Sequence, residues 1–171
     1  MVSRIRIIGV AGTGKTTLAR KLAKILKCRN YELDDIYWKR KFDLKRPFLE
    51  RRKLANKVSK KEKWIIEGGS SFWAKSTFKR ADVILFLDAP MHKIAYRVIK
   101  RHIHRRILKK HRETLKDAVE LVRYAHYKKN LPKSHPKSYD LVLKSYRNKI
   151  RHLHTNKQIS SFVKNLEKQP L

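Results

Sequence analysis

Only one cysteine, Cys28, occurs in 171 residues. It excludes an internal disulfide and fits a reducing, cytoplasmic setting. Acidic side chains are also scarce: 14 Asp and Glu stand against 45 Lys and Arg, a formal charge of +31. Such an excess repels itself in a compact fold. It points either to a polyanionic partner or to a generally basic, solvated surface. No apolar run approaches the roughly 18 residues a membrane span needs, so no membrane association is expected. The N-terminal stretch has a basic flank and a short apolar run, but that run meets glycines at once. It reads as a strand and not as a signal peptide. No internal repeat or low-complexity linker is present. With 41% hydrophobic residues, the length suits one domain, residues 1–171, around one core.

What is present alternates between two periods. Residues 4–10 form a β-rich run ending in glycine, and Leu18, Leu22, Ile25 and Leu26 follow at helical spacing. Residues 29–33 read as a second strand. Pro47 opens a basic helix carrying Leu54 and Val58. Trp64-Ile65-Ile66 reads as a third strand ending at Glu67-Gly68-Gly69, and residues 82–87 as a fourth ending at Asp88-Ala89-Pro90. Helical patterns cover Met91–Leu108 and Glu113–Lys129. A Pro132/Pro136 break precedes another helix through Tyr146. Residues 149–155 form an edge-like fifth strand, and a last helix carries Ile159, Phe162, Val163 and Leu166. This alternation predicts an α/β fold with a parallel sheet covered on both faces.

Gly9-Val10-Ala11-Gly12-Thr13-Gly14-Lys15-Thr16 satisfies G-x-x-x-x-G-K-[ST], between a strand and an amphipathic helix. Glycines let the backbone wrap phosphate oxygens with its N–H groups pointing inward, and the helix N-terminus adds positive partial charge. Lys15 is expected on the β- and γ-phosphates, the Thr16 hydroxyl on Mg²⁺, and Thr17 on the α-phosphate. A GTPase base reader is missing: Asn148-Lys149-Ile150-Arg151 and Asn156-Lys157-Gln158-Ile159 both lack its aspartate. An ABC-type signature or second ATPase core would not fit this length. A compact ATP-dependent kinase remains.

Gly9–Thr17, Leu33-Asp34, Tyr37-Trp38, Trp64–Gly68, Phe86–Pro90 and Tyr96–Arg101 together resemble the adenylate-kinase-like P-loop proteins named DNA topology modulation proteins. The resemblance runs through most of the chain in order. It implies a P-loop NTPase three-layer sandwich with a five-stranded parallel sheet in order 2-3-1-4-5, ATP and Mg²⁺ as cofactors, and phosphotransferase activity. By fold analogy an acceptor-side insert covers about 36–62 and a basic helical lid about 97–128.

Asp34 and Asp35 fall at the carboxyl edge of the second strand, where ligands of open α/β sheets bind. The resemblance makes Asp34 the carboxylate that orients or deprotonates the acceptor. Glu67 falls at the Walker B position, where related proteins more often have aspartate. Asp88, also at a strand end, is the alternative Mg²⁺ carboxylate. Arg97, Arg101 and Arg105 recur at i, i+4 and i+8 on one helical face, with Ile99, Ile103 and Ile107 expected to pack on the opposite one. The resemblance assigns Arg97 to the base and Arg101 to phosphate. Thr155 and Asn156 follow the fifth strand, where such kinases touch the base. His102/His104 point apart on a helix, and His152/His154 have no nearby carboxylate or cysteine in sequence, so neither pair is expected to hold zinc.

Residues 97–112 carry eight Lys/Arg and no acid, and residues 39–63 carry twelve against three acids. Tyr37, Trp38, Phe42, Phe72, Trp73, Tyr124 and Tyr127 are interleaved with basic stretches. Two acceptors follow: a nucleic-acid hydroxyl, with RNA or DNA held by phosphate contacts, or a nucleotide or other small metabolite. The runner-up function is a nucleic-acid-associated ATPase switch without a phosphorylated product. A nucleic-acid-binding protein with purely structural nucleotide binding is the third.

Overall fold

The computed structural model describes residues 2–40, 43–69, 72–107, 114–135 and 138–169. Phe42, Leu108, Glu113 and Pro136 lie outside them, as does the side chain of Arg105. Five strands make one parallel sheet: β1 (Arg4–Ile8), β2 (Asn30–Glu32), β5 (Trp64–Glu67), β6 (Val83–Leu87) and β7 (Ile150–Leu153). Their spatial order is β2-β5-β1-β6-β7. Counted in chain order within that sheet, this is 2-3-1-4-5. The central strand β1 is covered on both faces, so that Ile5, Arg6, Ile7 and Ile8 are all fully buried.

On one face, α1 (Lys15–Ile25) and α8 (Asn156–Glu167) bury Leu18, Leu22, Val163 and Leu166 against Ile5, Ile7, Leu85 and Leu87. On the other, α2 (Leu33–Tyr37), α3 (Phe48–Ser59), α4 (Lys75–Arg80) and α7 (Tyr139–Leu143) pack Leu33, Ala55, Phe78 and Leu143 on Ile8, Trp64, Ile66 and Ile84. A third cluster joins Val10 and Ala89 to α5 (Met91–Ile107) and α6 (Leu115–Lys129) through Ile94, Val98, Ala118 and Ala125. Thr114 and Asp117 form a capping box at the start of α6, and Thr155 and Gln158 do the same for α8.

Several elements differ from the sequence reading. The second strand stops at Glu32, because Leu33 turns inward to open α2, so Asp34 and Asp35 sit in a helical first turn. A short antiparallel hairpin of β3 (Trp38–Arg40) and β4 (Leu44–Lys45) follows. The helix after Pro132 is brief: α7 passes at Leu143 into a 3₁₀ turn over Lys144–Lys149. The isoleucine stripe of α5 does not pack. Ile99, Ile103 and Ile107 are 38%, 50% and 73% exposed, whereas Ile94, Val98 and His102 are buried. Both sets repeat every four residues, and the stripe one position earlier is the one that meets α6.

The start of β1 is pinned by Asp82. Its carboxylate accepts from the backbone N–H groups of Ser3 (3.0 Å) and Arg4 (2.8 Å) and from Arg4 Nη2 (2.6 Å). Partial burial raises its pKa, but the Arg4 side chain and these N–H groups outweigh that and hold it below the ordinary value. The folded state therefore gains stability above the unfolded carboxyl pKa of about 3.9 and loses it as pH falls through the folded value. Asp82→Asn is expected to lower unfolding free energy by about 1–2 kcal/mol at pH 7 and by much less at pH 2, read by urea titration.

Candidate functional site: a phosphate cradle at the sheet edge

β1 ends at the loop before α1, and three glycines there adopt positive φ: Gly9 (145°), Gly12 (78°) and Gly14 (97°). A β-carbon at Gly9 would collide with the Leu87 carbonyl oxygen, and one at Gly12 would lie 2.9 Å from that of Ile94. The loop is thus pressed against the ends of β6 and α5, and only glycine fits there. Thr13 Oγ1 closes the loop by donating to the Val10 carbonyl at 2.9 Å. Lys15 Nζ donates to the same carbonyl at 2.9 Å.

Thr16 Oγ1 donates to Glu67 Oε1 at 2.5 Å. Glu67 is buried at the end of β5, the strand beside β1. A hydroxyl and a carboxylate so placed are two hard oxygen donors, which suits Mg²⁺ beside bound phosphates. Burial pushes the Lys15 ammonium below its ordinary range. Glu67 and then Asp34 work against that shift, while Arg101 and Arg6 add to it. The electrostatic field at Lys15 therefore includes both expected carboxylates and the expected lid arginine. Gly68 (φ 140°) packs on Leu33, where a β-carbon would lie 2.8 Å from that of Leu33. This contact sets α2, with Asp34, beside the end of β5.

Arg97 Nη1 reaches the Gly12 and Thr13 carbonyls, both at 3.4 Å. Arg97 and Arg101 are exposed on α5, and Thr17 is exposed in the first turn of α1. Asn156, the first residue of α8, is also exposed. The Thr155 hydroxyl is engaged by Gln158 N at 3.2 Å.

Asp88 departs from the Mg²⁺ role raised for it. Its Oδ1 receives Lys129 Nζ at 2.5 Å and Ala89 N at 2.9 Å, and His154 Nδ1 lies 3.7 Å from Oδ2. It therefore ties the end of α6 to the ends of β6 and β7, and Glu67 is the carboxylate joined to Thr16.

Sequence reasoning missed Arg6. Its side chain is fully buried in β1. Its guanidinium donates to the carbonyls of Ile7 (2.7 Å), Ile66 (3.2 Å), Gly68 (3.2 Å) and Gly69 (2.6 Å). It also lies 4.9 Å from the Phe78 ring centroid. The available signal was its place in a strand that leads into a P-loop, since such a strand is central and has no solvent face.

On α3, Arg51 lies over Tyr37 at 4.7 Å and near Trp73 at 5.9 Å. Beside them, α3 and residues 72–76 line a cleft of about 650 Å³. Phe48, Phe72 and Trp73 supply its rings, and Arg52, Lys53 and Lys75 its cations.

A five-stranded parallel sheet with this phosphate cradle defines a P-loop nucleotide-binding fold. Residues 11–150 match the shikimate kinase family. The chain belongs to the shikimate kinase family. Its fold is similar to the shikimate kinase of Acinetobacter baumannii solved in complex with shikimate: TM-score 0.58, 16% identity, 97% of this chain and 91% of that one. The shikimate kinase of Bacteroides thetaiotaomicron gives a TM-score of 0.52 at 19% identity, over 98% of both chains. A gluconokinase from Sinorhizobium meliloti 1021 gives 0.53 at 11% identity, over 96% and 89%. Among curated proteins, the uncharacterized protein YqaC of Bacillus subtilis (strain 168) is 34% identical over 107 residues, which span 60% of each chain. These comparisons give the narrower DNA topology modulation name and a nucleic-acid acceptor no support. Among the described residues no helix is long and apolar enough to cross a membrane.

Proposed function

We propose that the chain transfers the γ-phosphoryl group of ATP, with Mg²⁺, to a hydroxyl of a small anionic acceptor. The observation that carries this is the pairing of Thr16 with Glu67 at 2.5 Å beside Lys15, whose field includes Asp34 and Arg101. Gly9, Gly12, Thr13 and Gly14 form the cradle, with Thr17 beside it. Lys15 and Arg101 hold the β- and γ-phosphates, Arg97 and Asn156 lie toward the base, and Thr16 and Glu67 hold Mg²⁺. When bound, Mg²⁺ neutralises charge on the β- and γ-oxygens. Asp34 orients the acceptor hydroxyl and receives its proton. The new acceptor O–P bond forms as the bond from the γ-phosphorus to the β–γ bridging oxygen breaks. Lys15 and Arg101 stabilise the charge on that leaving oxygen.

The acceptor is read as anionic because the cleft's rim is cationic and, among its lining residues, holds no acid. Its rings suit a flat or cyclic body. In a coupled ADP-release assay, ring alcohols bearing a carboxylate or phosphate are expected to stimulate turnover, and neutral analogues are not. Arg52→Ala with Lys53→Ala is expected to raise acceptor KM about tenfold, one screened contact's worth at 1.4 kcal/mol, with ATP KM unchanged. An unaltered acceptor KM would place the acceptor elsewhere.

A further inference from the structure

We propose that Arg6 is a positioning residue that holds Glu67 in register with Thr16 and so sets Mg²⁺ affinity, an inference that rests on the reading of Thr16 and Glu67 as the Mg²⁺ pair.

Glu67 sits between two peptide carbonyls that Arg6 grips, Ile66 on one side and Gly68 on the other, with Gly69 beyond. The same guanidinium holds the Ile7 carbonyl of β1, two residues before the cradle begins. One rigid fork therefore joins the strand that delivers the P-loop to the strand end that delivers Glu67. A planar guanidinium spans four carbonyls in fixed directions, which an ammonium does not. β1 and β5 are already neighbours, but their ladder bonds end at this edge: Gly68 N donates to Ile7 O at 3.2 Å. Beyond that bond, Arg6 carries the connection.

The fork is itself fixed from below by Phe78. Burial lowers the guanidinium to about 10, with Glu67 and then Tyr139 working against the shift, so Arg6 stays charged near neutrality. A fully buried cation is costly to desolvate, and an apolar side chain would suit this position better for stability alone. Its four main-chain acceptors all lie at the ligand edge of the sheet, which is where a positioning role requires them.

The test compares wild type, Arg6→Lys and Glu67→Gln in the full chain. Affinity for a fluorescent ATP analogue is measured across a Mg²⁺ titration and again in EDTA, with a melting curve for each protein. Arg6→Lys is expected to raise the Mg²⁺ concentration for half-maximal tight binding about tenfold. Its affinity in EDTA should stay within about twofold of wild type, and its kcat should fall while acceptor KM holds. A folded Arg6→Lys protein with unchanged Mg²⁺ dependence would overturn the inference, as would equal losses with and without Mg²⁺. Should Arg6→Lys fail to fold, Phe78→Leu removes the ring beneath the fork conservatively. It is expected to shift the Mg²⁺ midpoint about threefold in the same direction, and no shift would overturn the inference. If Glu67→Gln moves the Mg²⁺ midpoint and neither other variant does, Arg6 has no such role and the proposed function stands. If wild type shows no Mg²⁺-dependent ATP binding, both fall.

Discussion

Lys15→Ala is expected to lower kcat for phosphoryl transfer by about three orders of magnitude, near 4 kcal/mol of transition-state stabilisation. The side chain is held at the cradle by the Val10 carbonyl, 2.9 Å away, with Glu67 and Asp34 as the compensating anions. Charge that develops on the bridging oxygen then loses one of the two side-chain cations proposed to stabilise it, leaving Arg101 and the Mg²⁺. The same substitution is expected to leave the fold intact and to raise its stability slightly. Burial disfavours the charged ammonium, and removing it relieves that cost. Single-turnover rates with saturating ATP, together with a melting curve, separate the two effects. A large drop in stability would mean that Lys15 is structural.

Glu67→Gln has the second largest expected effect. Glutamine keeps the shape and an oxygen for Thr16 but removes the charge. The Mg²⁺ concentration for half-maximal activity is expected to rise ten- to a hundredfold, and kcat to fall about a hundredfold. Stability should fall as well, by about 2–3 kcal/mol, because the fully buried Arg6 loses the anion that offsets its burial. Asp88→Asn is the contrast. Its carboxylate is bonded to Lys129, so its loss should loosen the end of α6 without moving the Mg²⁺ midpoint. A Mg²⁺ shift of equal size in Asp88→Asn would exchange the two roles.

The cradle was legible in the sequence because its chemistry is local. Glycines at 9, 12 and 14, a lysine and a threonine must follow one another for a backbone to wrap phosphate. The strand order and the place of Glu67 at a strand end were also legible, since short apolar runs ending in Gly or Asp mark the ligand edge of a parallel sheet. What failed depended on partners far along the chain. Asp88 looked like Glu67 until Lys129, 41 positions on, occupied it. The stripes 94/98/102 and 99/103/107 have the same period, and only the seat of α6 selects between them. Arg6 passed as one residue of the first strand run, although a strand leading into a P-loop has no solvent face. Three of its four acceptors are carbonyls about 60 residues away, which no local pattern encodes.

The charge of +31 is only partly absorbed. Arg6, Lys15, Arg97 and Arg101 lie at or near the cradle, and Arg52, Lys53 and Lys75 line the cleft. Others, such as Lys21, Lys24, Lys93, Lys100, Lys116 and Lys164, are exposed on helix surfaces, where their effect on association is long-ranged and salt-dependent.

The most direct measurement is transfer of label from γ-labelled ATP, with Mg²⁺, by wild type and Lys15→Ala. The acceptor panel would contain small anionic ring alcohols, sugar acids, nucleosides, mononucleotides, tRNA and short DNA. The expected result is Lys15-dependent label on a small anionic alcohol. Label on a polynucleotide alone, or phosphate release with no labelled product, would contradict the reading of this chain as a small-molecule kinase.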